Sequence, residues 1–358
     1  MKVKKIIKWS LGGIATFIIL LVGFGFWFIS LIKTDASEKV DYSNITPQEI
    51  PYLSEDSIRH RGRILAVVTS IDKMGTSGKG TGFEFTELSR AYYVFIANGF
   101  EVDVASPKGG EAPVVMDDMG MYDYAFLNDK VAQYKIKNTI PISNINSKDY
   151  EAIYFVGGKG TMFDFPDNAQ LQSVVRDLYE SDKVIGAVCH GPAALVNVQL
   201  SNGDLLIKDK KVSGFTNAEE LLLISDAREI FPFLLQDKLS QNGAQFIEGA
   251  KYLENVVVDG RVVTGQNPWS TWLIAESMIK QMGYEPKARE ITGEENAEAI
   301  LSVYETYGYE RAVNKLEQLK SQTVKVNKAL IGGHSLIAIW QLQLGRAYDM
   351  VGLLRRLN

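Results

Sequence analysis

The pattern of apolar and polar residues alternates between strand-like and helix-like segments along most of the chain. Short apolar runs bounded by turn residues are typical of buried strands, and they occur at residues 61–70, 100–107, 150–160 and 183–189. Between these runs, residues 87–98 and 168–181 have the spacing of helices. Strands that alternate with helices imply a parallel sheet covered on both faces. We therefore predict an α/β fold with a mostly parallel sheet sandwiched by helices.

The α/β body is expected to end with a hairpin and a helix. Residues 254–266 form two apolar runs around Asp259 and Gly260, a residue pair that favours a type I′ turn. Residues 267–283 then have the pattern of a helix. Pro286 follows shortly afterwards and marks the expected boundary of this body.

Residues 286–358 have a different pattern, with two or three amphipathic helices and no strand-like run. The apolar run at 329–340 is too short to span a membrane. His334 within it is expected to be a core or interface residue rather than a ligand. Two interpretations of this extension stay open: a cap of the helical-repeat type, and a module that binds a protein partner through residues 287–358.

The N-terminal segment is apolar on every face. Residues 9–32 contain no charged residue, and as a helix they would span about 36 Å, enough to cross a membrane. Residues 1–8 are rich in lysine, so the positive-inside rule puts them in the cytoplasm. We therefore predict a transmembrane anchor at 9–32, a tether at 33–60 and an extracytoplasmic position for the α/β domain at 61–285.

A cleaved signal peptide is the main alternative to this anchor. The apolar region of a signal peptide normally covers about 7–15 residues, which is shorter than the segment found here. No convincing cleavage site follows it directly, although Ala36 is small. A helix buried in the protein is a weaker alternative, because such a helix usually keeps one polar face.

Composition and charge exclude several classes of function. The chain is 46% hydrophobic and 23% charged, as globular proteins are. A net charge of −5 without a dense basic stripe argues against nucleic-acid binding. A single cysteine cannot form an internal disulfide, and the sequence has no CxxC or HExxH pattern, which argues against a structural zinc site. We expect neither a metal nor a cofactor.

The single cysteine lies in a segment that predicts a strand, a turn and the start of a helix. In "KVIGAVCHGPAAL" (183–195), an apolar run leads into Cys189 and His190, and Gly-Pro follows. This order predicts a nucleophile elbow with Cys in the position of Ser. A lone cysteine is more often a small core residue, but the turn argues against simple burial. Amide groups at the following helix terminus would lower the pKa of the thiol.

Two further stretches with paired glutamates are expected beside this elbow. They are "TGFEFTEL" (81–88), with Glu84 and Glu87, and "VSGFTNAEE" (212–220), with Glu219 and Glu220. Open α/β sheets place their sites at the carboxyl ends of the strands, where these side chains can converge. A buried carboxyl can exchange a proton with a thiol, and another can orient a histidine. For Glu219 and Glu220, a solvated helix start is the ordinary alternative.

The order of the motifs resembles a known family. Over about residues 61–284 the chain contains "GTGFEFTELSRAYYVF", "FVGGKGTMFDFPDN", "VIGAVCHGPAAL", "GFTNAEE" and "VTGQNPWS". This combination resembles the PfpI-like branch of the class I glutamine-amidotransferase-like superfamily. It is most similar to the members that are cofactor-independent glyoxalases (glyoxalase III), protein deglycases and holding chaperones. The resemblance implies a flavodoxin-like α/β fold with a nucleophile elbow.

The resemblance also implies roles for individual residues. Cys189 matches the nucleophile, and His190 matches the histidine that works with it. Glu87 matches the acidic residue beside the thiol, and Glu84, three residues earlier, is the less favoured choice.

The remaining implied roles concern a second acid and an oxyanion hole. Glu220 matches the acid that orients His190, with Glu219 as the alternative because the register is not fixed to one residue. Gly158 and the backbone amide of His190 match an oxyanion hole. An ordinary strand-end turn is the alternative for Gly157 and Gly158.

The implied function is a thiol enzyme that acts on a small reactive aldehyde such as methylglyoxal, without metal or nicotinamide. Two alternatives from other classes stay open: a PfpI-type cysteine peptidase or amidase, and a membrane-tethered chaperone or binding module without catalysis. Glutamine amidotransfer is less expected, because no His-x-Glu pair occurs late in the domain. Members of the family are often homodimers, but no pattern in this sequence specifies an interface.

Overall fold

A computed structural model describes residues 22–23, 25–33, 40–55 and 58–358 of the chain. Contacts divide it into two units, Asp41–Glu290 and Ile291–Asn358, and the described residues up to Val40 belong to the second. The domain boundaries suggested by the sequence, at 60/61 and 285/286, stay predictions.

A seven-stranded sheet forms the centre of the larger unit. In chain order its strands are β1 (Arg63–Val67), β2 (Glu101–Ser106), β3 (Ile140–Pro141), β4 (Ala152–Phe155), β5 (Val184–Val188), β6 (Val256–Asp259) and β7 (Val262–Gly265). Across the sheet the order is β6-β7-β5-β4-β1-β2-β3, and all neighbours are parallel except β6 and β7. The predicted flavodoxin-like α/β fold with a mostly parallel sheet is therefore confirmed.

The helices of this unit lie mostly between the strands in sequence. They include α1 (Phe85–Ala97), α2 (Met121–Asn128), α3 (Lys130–Lys137), α4 (Ala169–Glu180), α5 (Asn217–Leu223), α6 (Leu235–Gln241) and α7 (Thr271–Gln281). Shorter helical turns occur at Pro51–Ser54, Thr161–Asp164 and Ala227–Ile230. The strands and helices predicted for residues 61–283 are present, with bounds that differ from the prediction by a few residues.

Strand β5 shows why the apolar runs predict buried strands. All five of its residues are buried. Ile185 and Ala187 belong to the core cluster that includes Val175 of α4. Gly186 faces the other side, where a Cβ atom would lie 2.2 Å from Sδ of Met278 in α7. Because helices cover both faces of the sheet, the strand is a continuous apolar run rather than an alternating one.

The hairpin at the sheet edge differs from its prediction in the turn. Asp259 pairs with Val262, so the two loop residues are Gly260 and Arg261. Of these two, only Gly260 has a positive φ, of 59°, whereas a type I′ turn needs positive φ at both positions. The hairpin is confirmed and the type I′ assignment is wrong.

The predicted membrane anchor is corrected by the structure. Residues 9–21 and 24 of that segment lie outside the described residues. Among the residues that are described, no helix combines the length and the apolar character that crossing a membrane requires. The predicted single-pass topology, with the N-terminus in the cytoplasm and the catalytic domain outside it, is therefore wrong.

Apolar side chains at the end of this segment are covered by protein. Residues 25–32 are helical, and Phe28 and Leu31 are buried. Ile32 approaches Gly332 so closely that a Cβ atom there would lie 2.6 Å from Ile32 Cδ1. An apolar helix that packs on its own chain and one that packs in lipid share the same composition, so the pattern alone did not separate them.

In the smaller unit, residues 291–358 form four helices where the sequence predicted two or three. They are α8 (Gly293–Tyr307), α9 (Tyr309–Ser321), α10 (Lys328–Trp340) and α11 (Leu344–Leu357). Helices α8 and α9 pack as one pair, and α10 and α11 as another. His334 in α10 is 2% exposed, as expected of a core residue. The two interpretations of this extension, as a cap or as a partner-binding module, stay predictions.

Candidate active site

Cys189 lies at the sharp turn that directly follows β5. It has a φ of 58°, which is rare for a residue with a side chain and is found where the surrounding structure enforces it. The turn is held on both sides, because Cys189 N donates to Gly265 O (2.9 Å) and Phe215 N donates to Cys189 O (2.8 Å). The predicted nucleophile elbow is thus present in the geometry of the backbone.

The segment after the elbow is not the α-helix that the sequence suggested. Gly191–Leu195 is a 3-10 helix of five residues. The pKa of the Cys189 thiol is raised well above its ordinary value, first by burial and then by the charge of Glu87. The expectation that a helix terminus lowers this pKa is therefore wrong for the resting site.

Glu87, in the first turn of α1, is the carboxyl beside the thiol. Its side chain is fully buried, Oε2 accepts from Gly157 N (2.6 Å), and its backbone carbonyl accepts from the Tyr154 hydroxyl (2.9 Å). Burial and, after it, the charge of Glu84 raise the pKa of Glu87 well above the ordinary range, and a hydrogen bond with Cys189 opposes this rise. Burial thus favours the protonated, neutral form of Glu87.

Cys189 and Glu87 form a coupled pair in a site that accommodates one negative charge better than two. When Glu87 is ionised, its charge raises the pKa of the Cys189 thiol, because water does not screen the two groups. In the other direction, a hydrogen bond with Cys189 lowers the pKa of Glu87. A protonated Glu87 therefore disfavours the thiolate less than an ionised Glu87 does.

His190 connects the thiol to Glu220. His190 Nδ1 lies 3.3 Å from Cys189 Sγ, and Nε2 lies 2.5 Å from Glu220 Oε2. Since a carboxylate accepts the Nε2 proton, the neutral ring presents an unprotonated Nδ1 to the sulfur. The rings of Phe215 and Phe231 lie 4.6 Å and 6.3 Å from the imidazole, measured between centroids. The imidazole is thus oriented to accept the thiol proton.

Glu219 has a different environment from its neighbour. It is fully buried and accepts five hydrogen bonds: from Thr216 N, Thr216 Oγ1, Tyr252 N, Gln266 Nε2 and Asn267 Nδ2, at 2.7–3.1 Å. These donors hold the loop at 250–253 and the residues after β7 in place. Neither glutamate is at the solvated helix start that was the ordinary alternative, because both are buried.

Two backbone donors lie at this edge of the sheet, one in the turn after β4 and one in the turn after β5. Gly158 has a φ of 101°, and a Cβ atom on it would lie 2.3 Å from Gly82 O, so only glycine fits there. The N–H groups of Gly158 and His190 make no hydrogen bond with the described residues. Both follow strands that end at the same edge of the sheet, near the thiol. They are therefore available to donate to an oxyanion, and their assignment to an oxyanion hole stays a prediction.

Three groups at the site were missed by the sequence reasoning. Tyr154 holds the backbone of Glu87, Phe215 lies against the imidazole, and Lys159 is a cation next to the turn. Of these, Phe215 and Lys159 lie in motifs that the sequence singled out, whereas Tyr154 does not. Glu84 is half-buried, and its pKa is raised to about 7 by burial and, after it, by the charge of Asp117.

In the part of the chain that the structure describes, no group of three or more His, Cys, Asp or Glu side chains is arranged to hold a metal ion. The arrangement around Cys189 can bind a carbonyl compound covalently, accept and return protons through His190 and Glu87, and donate two backbone N–H groups to an oxygen.

The chain is similar in sequence and fold to several known proteins. Glyoxalase 3 of Candida albicans is 32% identical to the chain over 226 residues, which cover 60% of this chain and 96% of that protein. The crystal structure of glyoxalase III from Candida albicans matches with 30% identity and a TM-score of 0.56, over 63% of this chain and 98% of the other. The Rapid Encystment Protein 24 KDa of Francisella tularensis matches with 38% identity and a TM-score of 0.59, over 62% and 99%.

A match to a known family lies in the unit that contains the sheet and the elbow. A family match spans residues 79–281, from the glycine-rich loop before α1 to the end of α7. More than half of the sequence is covered in this way, and the chain therefore belongs to the DJ-1/PfpI family.

Proposed function

We propose that the chain is a cofactor-independent glyoxalase, which converts small 2-oxoaldehydes such as methylglyoxal into 2-hydroxy acids. Removal of early aldehyde adducts from amines or thiols is a related activity of the same site. Curated relatives that match over 90% or more of their length are named glyoxalases, which supports the proposal. The observation that carries it is the position of the thiol, with His190 Nδ1 3.3 Å from Cys189 Sγ and the buried Glu87 carboxyl beside it.

The first step joins the substrate to Cys189. His190 Nδ1 accepts the thiol proton, and the sulfur attacks the aldehyde carbon to form a C–S bond. The aldehyde oxygen becomes negatively charged, is stabilised by the N–H groups of Gly158 and His190, and takes up a proton to give a hemithioacetal. Glu220 balances the positive charge that His190 acquires.

The second step moves hydrogen between neighbouring carbons as protons. A base removes the proton from the former aldehyde carbon while the neighbouring carbonyl oxygen takes up a proton, which gives an enediol. A proton is then added to the neighbouring carbon as the hydroxyl on the sulfur-bearing carbon loses its own, which gives a thioester of the 2-hydroxy acid. Glu87 and His190 are the groups assigned to these transfers. One carbon is oxidised while its neighbour is reduced, so the conversion needs no external oxidant or reductant. Water then hydrolyses the thioester, and the sulfur recovers its proton.

The buried thiol favours a small substrate over a polypeptide. Cys189 is 5% exposed, and His190 and Glu220 are buried with it. A peptide chain would need an open groove to bring its carbonyl carbon to the sulfur. The peptidase alternative therefore has less support than the glyoxalase.

The test replaces Cys189 and measures the formation of lactate from methylglyoxal. For Cys189→Ala we expect lactate formation from methylglyoxal to fall to the uncatalysed background, with the thermal unfolding midpoint near that of the unmodified protein. Cys189→Ser is expected to be inactive as well, because a serine hydroxyl holds its proton far more tightly than a thiol. Substantial lactate formation by either variant would overturn the proposal. Suppression of aggregation that persists in Cys189→Ala, in a protein without glyoxalase activity, would favour the chaperone alternative.

A further inference from the structure

Tyr154 is a fully buried residue of β4, the strand that leads into the glycine turn of the site. Strand β4 pairs with β1 on one side and with β5 on the other, so the backbone that carries Tyr154 is held from both sides. Its ring packs edge-on against Phe95 of α1, with the centroids 5.7 Å apart. Its hydroxyl donates to the backbone carbonyl of Glu87 (2.9 Å). The side chain therefore connects a fixed strand to the helix that carries the acid of the site.

The first turn of α1 is held mainly from outside the helix. Its N-cap residue, Glu84, makes no capping hydrogen bond through its side chain with the described residues. Instead, Glu84 N donates to Gly157 O (3.2 Å), and Gly157 N donates to Glu87 Oε2 (2.6 Å). The Tyr154 hydroxyl adds the third hydrogen bond from β4 and its turn. Glu87 is thus held at two points, its carboxyl by Gly157 and its backbone by Tyr154.

The position of Glu87 matters because its carboxyl lies against the elbow. A Cβ atom on Gly157 would lie 2.6 Å from Glu87 Oε2 and 2.8 Å from Cys189 Cβ. The carboxyl and the cysteine side chain therefore meet beside a residue that leaves no room for a side chain of its own. Because proton transfer requires heavy atoms within hydrogen-bond distance, a small shift of the first turn of α1 would separate the acid from the thiol.

We propose that Tyr154 is a positioning residue of the catalytic site, whose hydroxyl, bound to the backbone carbonyl of Glu87, keeps the Glu87 carboxyl beside Cys189. The inference deepens the proposed function and rests on it only in taking Cys189 as the nucleophile and Glu87 as its acid. Tyr154 acts through Glu87 rather than on the substrate. Its hydroxyl remains a donor, because burial and, after it, the charges of Glu87 and Cys189 raise the pKa of Tyr154 well above its ordinary value.

The experiment exploits the fact that Cys189 is the only cysteine of the chain. The rate of alkylation of the full-length protein by iodoacetamide, measured as a function of pH, reports the thiolate of this residue alone. The charge of Glu87 and its hydrogen bond both raise the pKa of the thiol. Tyr154→Phe frees the backbone of Glu87, so the midpoint of the profile is expected to move by about half a pH unit to lower pH. An unmoved midpoint would overturn the proposal.

A second background separates positioning from a merely structural role. Glu87→Gln removes the charge that Tyr154 is proposed to place. In that background, Tyr154→Phe is expected to leave the midpoint where Glu87→Gln alone puts it, because two residues that act through one group are not additive. Equal shifts in the two backgrounds would overturn the proposal. A rate that rises equally at every pH would also overturn it, because looser packing around the sulfur has that effect without moving the midpoint.

The matched control is Tyr150→Phe, at a buried tyrosine before β4 and thus at the opposite edge of the sheet. The Tyr150 hydroxyl donates to Asp103 Oδ2 (3.2 Å), so this variant also loses one hydroxyl hydrogen bond. Its alkylation profile is expected to coincide with that of the unmodified protein, and a shift equal to that of Tyr154→Phe would contradict a specific role for Tyr154. Far-UV circular dichroism checks every variant, and Tyr154→Met replaces Tyr154→Phe if the latter does not fold.

Alkylation requires no aldehyde substrate, so this test and the glyoxalase test can fail separately. A moved midpoint in a protein that forms no lactate would leave Tyr154 in its role and reject the glyoxalase. Lactate formation with an unmoved midpoint would do the reverse. In an active protein, Tyr154→Phe is expected to lower kcat about tenfold with KM little changed, whereas Tyr150→Phe should leave both unchanged.

Discussion

Glu220 Oε2 lies 2.5 Å from His190 Nε2, whereas the adjacent Glu219 makes no contact with that ring and accepts five hydrogen bonds from a neighbouring loop and from Thr216. Thr216 caps α5 through a capping box with Glu219. This cap fixes which glutamate points into the loop and which reaches the imidazole. The two residues are identical in type, and the start of the helix gives them different partners.

Glu220→Gln is expected to reduce turnover more than stability. The amide can still accept a hydrogen bond from His190, but it no longer balances the positive charge that the ring acquires when it takes the thiol proton. We expect kcat for methylglyoxal to fall about 10²–10³-fold, with KM little changed. Steady-state kinetics of lactate formation measure this. An unchanged kcat would show that Glu220 does not assist His190.

Glu219→Gln is expected to reduce stability more than turnover. Its carboxylate accepts all five hydrogen bonds, and an amide would turn an N–H₂ group towards donors that then lack a partner. We expect a loss of about 2–4 kcal/mol in the free energy of unfolding, measured by urea denaturation. The remaining folded protein should keep a thiol that alkylates at close to the original rate. A stability equal to that of Glu220→Gln would contradict this division of roles.

Much of the site was predictable because it depends on local pattern. Cys189 and His190 follow a continuous apolar strand and precede Gly-Pro, and this order alone predicts a nucleophile elbow. The stretch with Glu84 and Glu87 could be placed beside the elbow because it follows β1, and parallel strands bring such segments to one edge of the sheet. Periodicity and topology thus located the candidate residues, whereas the choice of Glu87 over Glu84 came from the resemblance to a known family.

The rest depends on contacts between distant residues. Tyr154 is one of several aromatic residues in buried strands, and nothing in its neighbourhood indicates that its hydroxyl holds Glu87. The raised pKa of Cys189 results from burial and from Glu87, neither of which a local helix-terminus argument includes. The prediction of a membrane anchor was wrong for the same reason. The composition of a segment indicates that its side chains avoid water, but it does not indicate whether protein or lipid covers them.

Gly158→Ala is expected to damage both the fold and the site. The new Cβ atom would lie 2.3 Å from Gly82 O, at a φ of 101°, so the turn that carries Lys159 and an oxyanion-hole donor has to move. We expect a loss of more than about 2 kcal/mol in the free energy of unfolding, together with a large loss of glyoxalase activity.

Gly260→Ala is the matched control for this change. Gly260 also has a positive φ, but nothing lies within 4 Å of the position that its Cβ atom would occupy. Gly260→Ala should therefore reduce the free energy of unfolding by only about 1 kcal/mol and leave activity intact. Equal effects of the two substitutions would mean that backbone strain, and not the contact with Gly82, makes glycine necessary at 158.

Asp164 gives a prediction of pH dependence away from the reacting atoms. Its carboxyl accepts from Thr69 Oγ1 (2.8 Å) and Ser70 N (2.7 Å) and thereby ties the loop after β1 to the segment after the glycine turn. Burial raises the pKa of Asp164 from 3.8 to about 7, although these two hydrogen bonds oppose the rise. In the folded protein the neutral acid is thus favoured over a wide range of pH.

The sign of the effect follows from this raised pKa. Because the pKa of Asp164 is higher in the folded than in the unfolded protein, its protonation contributes to the free energy of unfolding. This contribution is fully present below pH 3.8 and is lost as the pH rises towards 7. Asp164→Asn resembles the protonated form and does not titrate. The unfolding free energy of the variant minus that of the unmodified protein should therefore increase by about 2–4 kcal/mol between pH 4 and pH 7, as measured by urea denaturation in both proteins. Because other titrating groups are common to both, they cancel in the difference. A difference that is flat across this range, or that falls, would contradict a raised pKa for Asp164.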